Sequence, residues 1–318
     1  MRSLSFWTCS GLISRLRICR ARSRNFIGAN AATGYAPDVT EAKTSQPETS
    51  AAPRPWRDLA LRGASAAVLI PLALFGIWCG GVVWDVLIGA AMVLLSWEWL
   101  RLSGASVYRW PGILLPIITL GVMLLAAFGP PLGALGLLVA GSGILLLLQR
   151  RGDIWPAAGL FYIGLCGFSL ILLRGEDWAG LLNTLFVVLI VWASDTGAYL
   201  AGRALGGPKL APAISPGKTW SGAAGGLLAA TLIGAGAAAL LAPGGASRAA
   251  AIAAMLGVMS QAGDLLESAI KRRFGVKDSS SLIPGHGGVF DRLDGVMAAA
   301  PMATALALLA GRGMPLWH

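Results

Sequence analysis

The amino-acid sequence predicts an all-α, polytopic integral membrane protein of about nine transmembrane helices with a cytoplasmic N-terminus, on three observations. First, 56% of the 318 residues are hydrophobic and 13% are charged, with a mean hydropathy of +0.69. That balance suits lipid rather than water as the outer solvent. Second, the apolar runs are about 20 residues long, the length a helix needs to cross ~30 Å of hydrocarbon. Third, lysine and arginine gather on alternate connections. With the N-terminus inside, the cytoplasmic loops hold twelve: Arg101, Arg109, Arg150, Arg151, Arg203, Lys209, Lys218, Lys271, Arg272, Arg273, Lys277 and Arg292. The opposite loops hold three, Arg174, Arg248 and Arg312. Cytoplasmic loops are enriched in positive residues, so this asymmetry puts the C-terminus outside.

Residues 1–57 stand apart. Arg15, Arg17, Arg20, Arg22 and Arg24 form a basic run, followed by a Thr/Ser/Pro/Glu-rich stretch with little apolar content. This composition predicts a disordered, basic and polar cytosolic arm. The first thirty residues contain no acid, as in a transit peptide, but the apolar stretch 4–13 is broken by polar residues and no convincing cleavage site follows.

The transmembrane domain is expected over 58–318, with spans near 59–79, 82–102, 111–129, 131–149, 154–173, 179–201, 220–242, 247–267 and 293–311. Gly, Pro or charge punctuates them. The seventh contains GAAGGLLAATLIGAGAAALLA, whose small residues let helices approach closely where lipid supplies no hydrophobic drive.

Composition also excludes functions. Cys9, Cys19, Cys79 and Cys166 form no C-x-x-C pair, so no disulfide framework is expected. His286 and His318 are too few for zinc clusters, and any metal should sit on oxygen ligands. The net charge of +10 suits lipid headgroups. With no soluble domain to display a basic face, nucleic acid is not an expected partner.

Charge concentrates near the end. The 31 residues from Asp264 to Asp294 hold ten of the forty charged side chains. Asp264 lies in or at the edge of an apolar helix, where an ionised carboxylate is costly unless paired, hydrated or bound to a cation. Asp264, Ser268 and Lys271 recur at i, i+4, i+7 and share a helical face. Asp291 and Asp294 are three apart at the start of the final span, after the glycine-bearing loop SSSLIPGHGG. Spacing alone fits a metal and phosphate site and a structural ion-pair network equally well.

A second polar segment, DTGAYLAGRALGGPKLAPAISPGKTWSG, follows the sixth span. Its PGKT is not a P-loop, because Pro212 stands where that motif needs Gly and no strand is predicted before it. Asp195 at the membrane boundary and Ser215, Lys218 and Thr219 after backbone-fixing prolines could cradle an anion or simply form a rigid loop.

The run S-A-I-K-R-x4-K-D-x-S-x2-I-P-x-H-G-G-V-x-D-R-L-D from Ser268 to Asp294 resembles the signature of the phosphatidate cytidylyltransferase (CDP-diacylglycerol synthase) family at each fixed position. DTGAY, Gly202-Arg203, SPGKTW and the S-W-E-W-L-R-L run at 96–102 resemble the same family, over about 59–311. Ser221 departs from it, since the family usually has Glu there.

The resemblance implies transfer of CMP from CTP to phosphatidate, giving CDP-diacylglycerol and pyrophosphate, at the inner (cytoplasmic) membrane with the site facing the cytoplasm. The lipid phosphate, with a second pKa of roughly 6 to 7, is already nucleophilic, so cations and in-line positioning should dominate the barrier. By resemblance, Asp264 and Asp291 would ligate Mg2+, with room for a second cation, and Asp294 would assist them. Lys271, Arg272, Lys277 and Arg292 would meet phosphates, with some of them able instead to hold the loop through Glu267 or Asp278. His286 would donate to a phosphate or hold the loop. Ser268, Ser215, Lys218, Thr219 and Asp195 complete the expected substrate set. CTP, phosphatidate and membrane lipids are the implied partners, and a homodimer is compatible.

Three rival functions fit the sequence less well. A CDP-alcohol phosphotransferase is excluded, because Ala299 stands where its D-G-x-x-A-R motif needs Arg and no acid follows Asp294. A related nucleotidyltransferase or CTP-dependent kinase acting on a lipid alcohol is disfavoured by the Ser268 to Asp294 run. A transporter would place functional acids near the bilayer middle within a repeated fold, whereas these acids gather at one surface. Asp85 and Glu98 are read as structural, Glu98 being a candidate neighbour of the site.

Overall fold

Lipid offers no hydrogen-bond partner, so a chain this apolar satisfies its backbone within helices. The computed structural model describes residues 55–318 apart from 106–109, 149–152, 242–244, 281, 284–286 and 312, with the backbone alone at 55–62, 111 and 241. Most of the expected N-terminal arm therefore lies outside the described residues.

The described residues form nine helices: α1 Pro55–Cys79, α2 Gly81–Leu102, α3 Trp110–Phe128, α4 Pro131–Leu148, α5 Trp155–Arg174, α6 Trp178–Leu205, α7 Trp220–Leu241, α8 Ala246–Arg273 and α9 Phe290–Ala310. Seven of them, α2 and α4 to α9, are long and apolar enough to cross a membrane, and α1 and α3 carry shorter apolar stretches, Gly63–Cys79 and Gly112–Phe128. The all-α polytopic class holds. One antiparallel hairpin interrupts it, β1 Lys209–Ala211 paired with β2 Ser215–Thr219, in the loop where no strand was expected.

Helices α2 to α5 pack as one group and α6 to α8 as another, and α9 lies against both through α5, α6 and α8. Met92, Leu115, Leu138, Leu160, Phe186 and Met297 fill the core. Helices α6 and α7 approach closely, so that a Cβ on Gly197 would sit 2.5 Å from Ala229 Cβ and 2.8 Å from the Gly225 carbonyl oxygen. Small residues here allow near backbone contact. Leu147, Leu228 and Leu309 face outward, and Trp110, Trp178 and Trp220, each the first residue of a helix, are exposed where ring and headgroup would meet.

Two helices outrun their apolar stretches. Helix α6 continues to Leu205 and α8 to Arg273, beyond the expected ends at 201 and 267. Lys271, Arg272 and Arg273 occupy the last turn of α8, where cations meet the negative end of the helix dipole. These extra turns carry polar side chains past the apolar layer. The opposite end of the bundle is tied by Arg174, whose guanidinium donates to the carbonyls of Ile77 at 2.6 Å, Gly175 at 3.0 Å and Trp78 at 3.3 Å.

Candidate functional site

The C-terminal ends of α2, α6 and α8 meet the hairpin and the N-terminal ends of α7 and α9. Asp264 and Glu267 lie one turn apart on α8, and Asp294 enters from α9. Each offers a carboxylate oxygen, and the three atoms lie within 4.8 Å of one another. Three acids so close repel unless cations intervene. Lys218, from the hairpin, reaches Asp264 at 2.5 Å. Lys271 bridges Glu267 and Asp291, 2.8 Å from each, and those carboxylates are 3% and 7% exposed.

Asp291 stands outside the trio. Besides Lys271, its carboxylate accepts from the Ser279 backbone N–H at 3.0 Å, the Ser279 hydroxyl at 3.0 Å and the Gly288 N–H at 2.9 Å. A Cβ on Gly287, whose φ is +82°, would lie 2.6 Å from an Asp291 oxygen. Asp291 is thus the acceptor around which the loop before α9 folds. Of the two acids expected to share a metal, the structure brings Asp264 into a group with Glu267 and Asp294 instead. One turn of α9 separates the two roles, turning Asp294 toward α8 and leaving Asp291 beside the loop donors.

A cleft of about 560 Å³ opens beside the trio, lined by Asp195, Arg203, Lys218, Thr219, Gln261 and Asp264 among others. Arg203 donates to the Tyr199 hydroxyl at 2.8 Å. Gln261 ties the three walls by donating to Ala223 O at 3.1 Å and Ser194 Oγ at 3.3 Å. Thr219 lines the cleft but is 6% exposed, and its hydroxyl accepts from the Gly222 N–H at 3.1 Å as the cap of α7. Ser221, where the resemblance leads one to expect Glu, hydrogen-bonds Thr219 at 3.0 Å and donates to the Gly206 carbonyl. The Ser221 hydroxyl thereby closes the α6-to-hairpin turn.

The remaining expected residues fall around this centre. Ser215 opens β2 and pairs with Ala211. Arg272 donates to Ile214 O at 3.2 Å and Val276 O at 3.3 Å, fastening α8 to the hairpin. Ser268 is half-buried on α8. Lys277 and Arg292 are exposed and make no ion pair among the described residues. His286 lies outside the described residues.

Three residues outside the expected catalytic and substrate set contribute, one of which, Glu98, was expected only as a structural neighbour of the site. Glu267 had a legible signal, standing one turn after Asp264. Arg203 stood in a recognised loop. Glu98 is fully buried and joins the loop before α9, a contact across 191 positions that no local pattern announces.

The fold and site together define a polytopic helical membrane protein with clustered carboxylates and lysines at one end of its bundle. The chain belongs to the cytidylyltransferase family, which it matches over residues 60–310. It is 45% identical over 255 residues to the phosphatidate cytidylyltransferase of Brucella suis, covering 77% of this chain and 92% of the relative. The phosphatidate cytidylyltransferase of Pseudomonas aeruginosa is 38% identical over 287 residues, covering 79% and 97%. That of Bacillus subtilis is 35% identical over 258 residues, covering 76% and 93%. The resemblance expected from the Ser268 to Asp294 run is met.

Proposed function

We propose that this chain transfers CMP from CTP to phosphatidate, releasing pyrophosphate and forming CDP-diacylglycerol. The observation that carries the reading is the Lys218 to Asp264 contact at 2.5 Å. It joins the SPGKTW loop to the acids of the Ser268 to Asp294 region, so both family-like segments serve one place beside one cleft.

The lipid's phosphate monoester is largely dianionic at neutral pH. Its oxygen attacks the α-phosphorus of CTP, a new P–O bond forms, and the bond from that phosphorus to the bridging oxygen of the departing pyrophosphate breaks. The cost is repulsion between two anions, so the protein's task is to align them and neutralise charge. Lys218 and Arg203 line the cleft and receive phosphate oxygens. Lys271 keeps Glu267 and Asp291 in place, and the exposed Lys277 and Arg292 meet anions arriving from the aqueous side.

Asp264, Glu267 and Asp294 supply the hard oxygen donors that a divalent cation takes. We assign them to Mg2+, with Asp291 holding the loop beside it. When bound, the cation would supply charge neutralisation at the transferring phosphate. The lysine and arginine asymmetry supports nine crossings, an N-terminus on the cytoplasmic side, and a site open to CTP at the inner surface of the cytoplasmic membrane.

The test uses the purified full chain in detergent with phosphatidate, CTP and Mg2+, scored for pyrophosphate release. CTP should be used and ATP and GTP refused, and EDTA should abolish release. Activity only with a lipid alcohol, or equal use of ATP, would overturn the reading. Lys218→Ala should raise the KM for CTP by about tenfold and lower kcat by less, since Arg203 remains in the cleft. A loss as deep as removing Asp264 would contradict that placement.

A further inference from the structure

Glu98 lies near the C-terminal end of α2, a helix that supplies neither a member of the acid trio nor a wall of the cleft. Its side chain is 0% exposed, yet both oxygens are fully engaged. Oε1 accepts from Ser280 Oγ at 2.6 Å and the Val289 N–H at 2.9 Å. Oε2 accepts from the Phe290 N–H at 2.9 Å and Ser279 Oγ at 3.4 Å. Two of these donors are backbone groups at the start of α9, where a helix presents orphan N–H groups and partial positive charge. Helix α9 has no side-chain cap of its own at Val289, so a distant acid does that work.

The same loop carries the donors that hold Asp291. Ser279 Oγ lies between the two acids, 3.0 Å from Asp291 and 3.4 Å from Glu98. Gly288 passes through the remaining gap, where a Cβ would sit 2.7 Å from both Glu98 oxygens. Next along α2, Trp99 meets the Phe290 ring edge-on at 5.6 Å and donates to Trp155 O at 2.8 Å. One turn of α2 thus grips the loop and the first residue of α9.

We propose that Glu98 is a positioning residue for the transfer reaction: from α2 it clamps Ser279, Ser280, Val289 and Phe290, and so holds Asp291 on Lys271 and Asp294 beside Asp264 and Glu267. It touches no reacting atom. A carboxylate is required because a glutamine would turn its NH2 toward one of the two backbone N–H donors whichever way it flipped. The inference rests on the transferase reading, and wild-type turnover tests that reading separately from the variant ratios that test this one.

The experiment is a double-mutant cycle of Glu98→Gln and Ser279→Ala in the purified full chain, reading kcat, KM for CTP and thermal midpoint. Glu98→Gln should lower kcat about 100-fold with KM within about threefold, and Ser279→Ala should lower kcat about tenfold. Together they should give about 100-fold rather than about 1,000-fold, because both act through one loop. Thr304→Val removes a buried hydroxyl bonded to Ser169 O at 2.8 Å, far from the site. It should lower the midpoint with kcat within about twofold of wild type. Multiplying losses, a Glu98→Gln kcat near wild type, or an equal kcat loss in Thr304→Val would overturn the proposal. If Glu98→Gln is not recovered folded, Ser280→Ala replaces it in the cycle. There a loss of about fivefold that fails to multiply with Ser279→Ala supports the clamp, and no loss or a multiplied one overturns it.

Discussion

Asp264→Asn is expected to cut CTP turnover by about 10³-fold or more while the protein still inserts and purifies normally. Asp264 is the one residue shared by the acid trio, the cleft wall and the Lys218 pair. Replacing its carboxylate by an amide removes a metal donor and leaves Lys218 facing a neutral group. Because Asp264 is partly exposed at a helix face, the fold does not depend on it, and the loss should be chemical rather than structural. Pyrophosphate release, together with size-exclusion behaviour in detergent, checks both halves. Turnover within about tenfold of wild type would remove Asp264 from the metal site.

Lys271→Met is expected to do the reverse, harming fold and activity together. Its ammonium is the shared partner of two carboxylates that are 3% and 7% exposed, and removing it leaves two nearly buried acids facing each other. Breaking such a pair costs about 3–5 kcal/mol, since the charges left behind stay desolvated. The thermal midpoint should fall clearly and turnover should drop about 100-fold as Asp291 loses its anchor. Adding Glu267→Gln to Lys271→Met should recover part of the stability, because one uncompensated carboxylate is gone, without restoring activity. A Lys271→Met protein as stable as wild type would show that the bridge carries little of the fold.

Glu267 and Glu98 show where local sequence runs out. Glu267 could be placed on the Asp264 face by counting helical positions, yet its grouping with Asp294 depends on how α8 and α9 are rotated against each other. Asp291 and Asp294 had equal claims from spacing, and the choice was made by the loop donors Ser279 and Gly288, which claim Asp291. Thr219, expected among the substrate residues, lines the cleft and also caps α7, and Ser221, the departure from the family pattern, closes the turn beside it.

By itself the sequence determined the membrane-spanning helices, the end of the bundle at which charge collects, and the family, because apolar run length, loop charge and an ordered run of residues along one strand of chain are properties that survive without folding. Tertiary structure alone decided which three carboxylates converge, which acid accepts from the loop donors, and that Glu98 caps a helix 192 positions away. Those outcomes depend on helix rotation and on which backbone N–H groups are left without partners, and neither exists until the helices have packed.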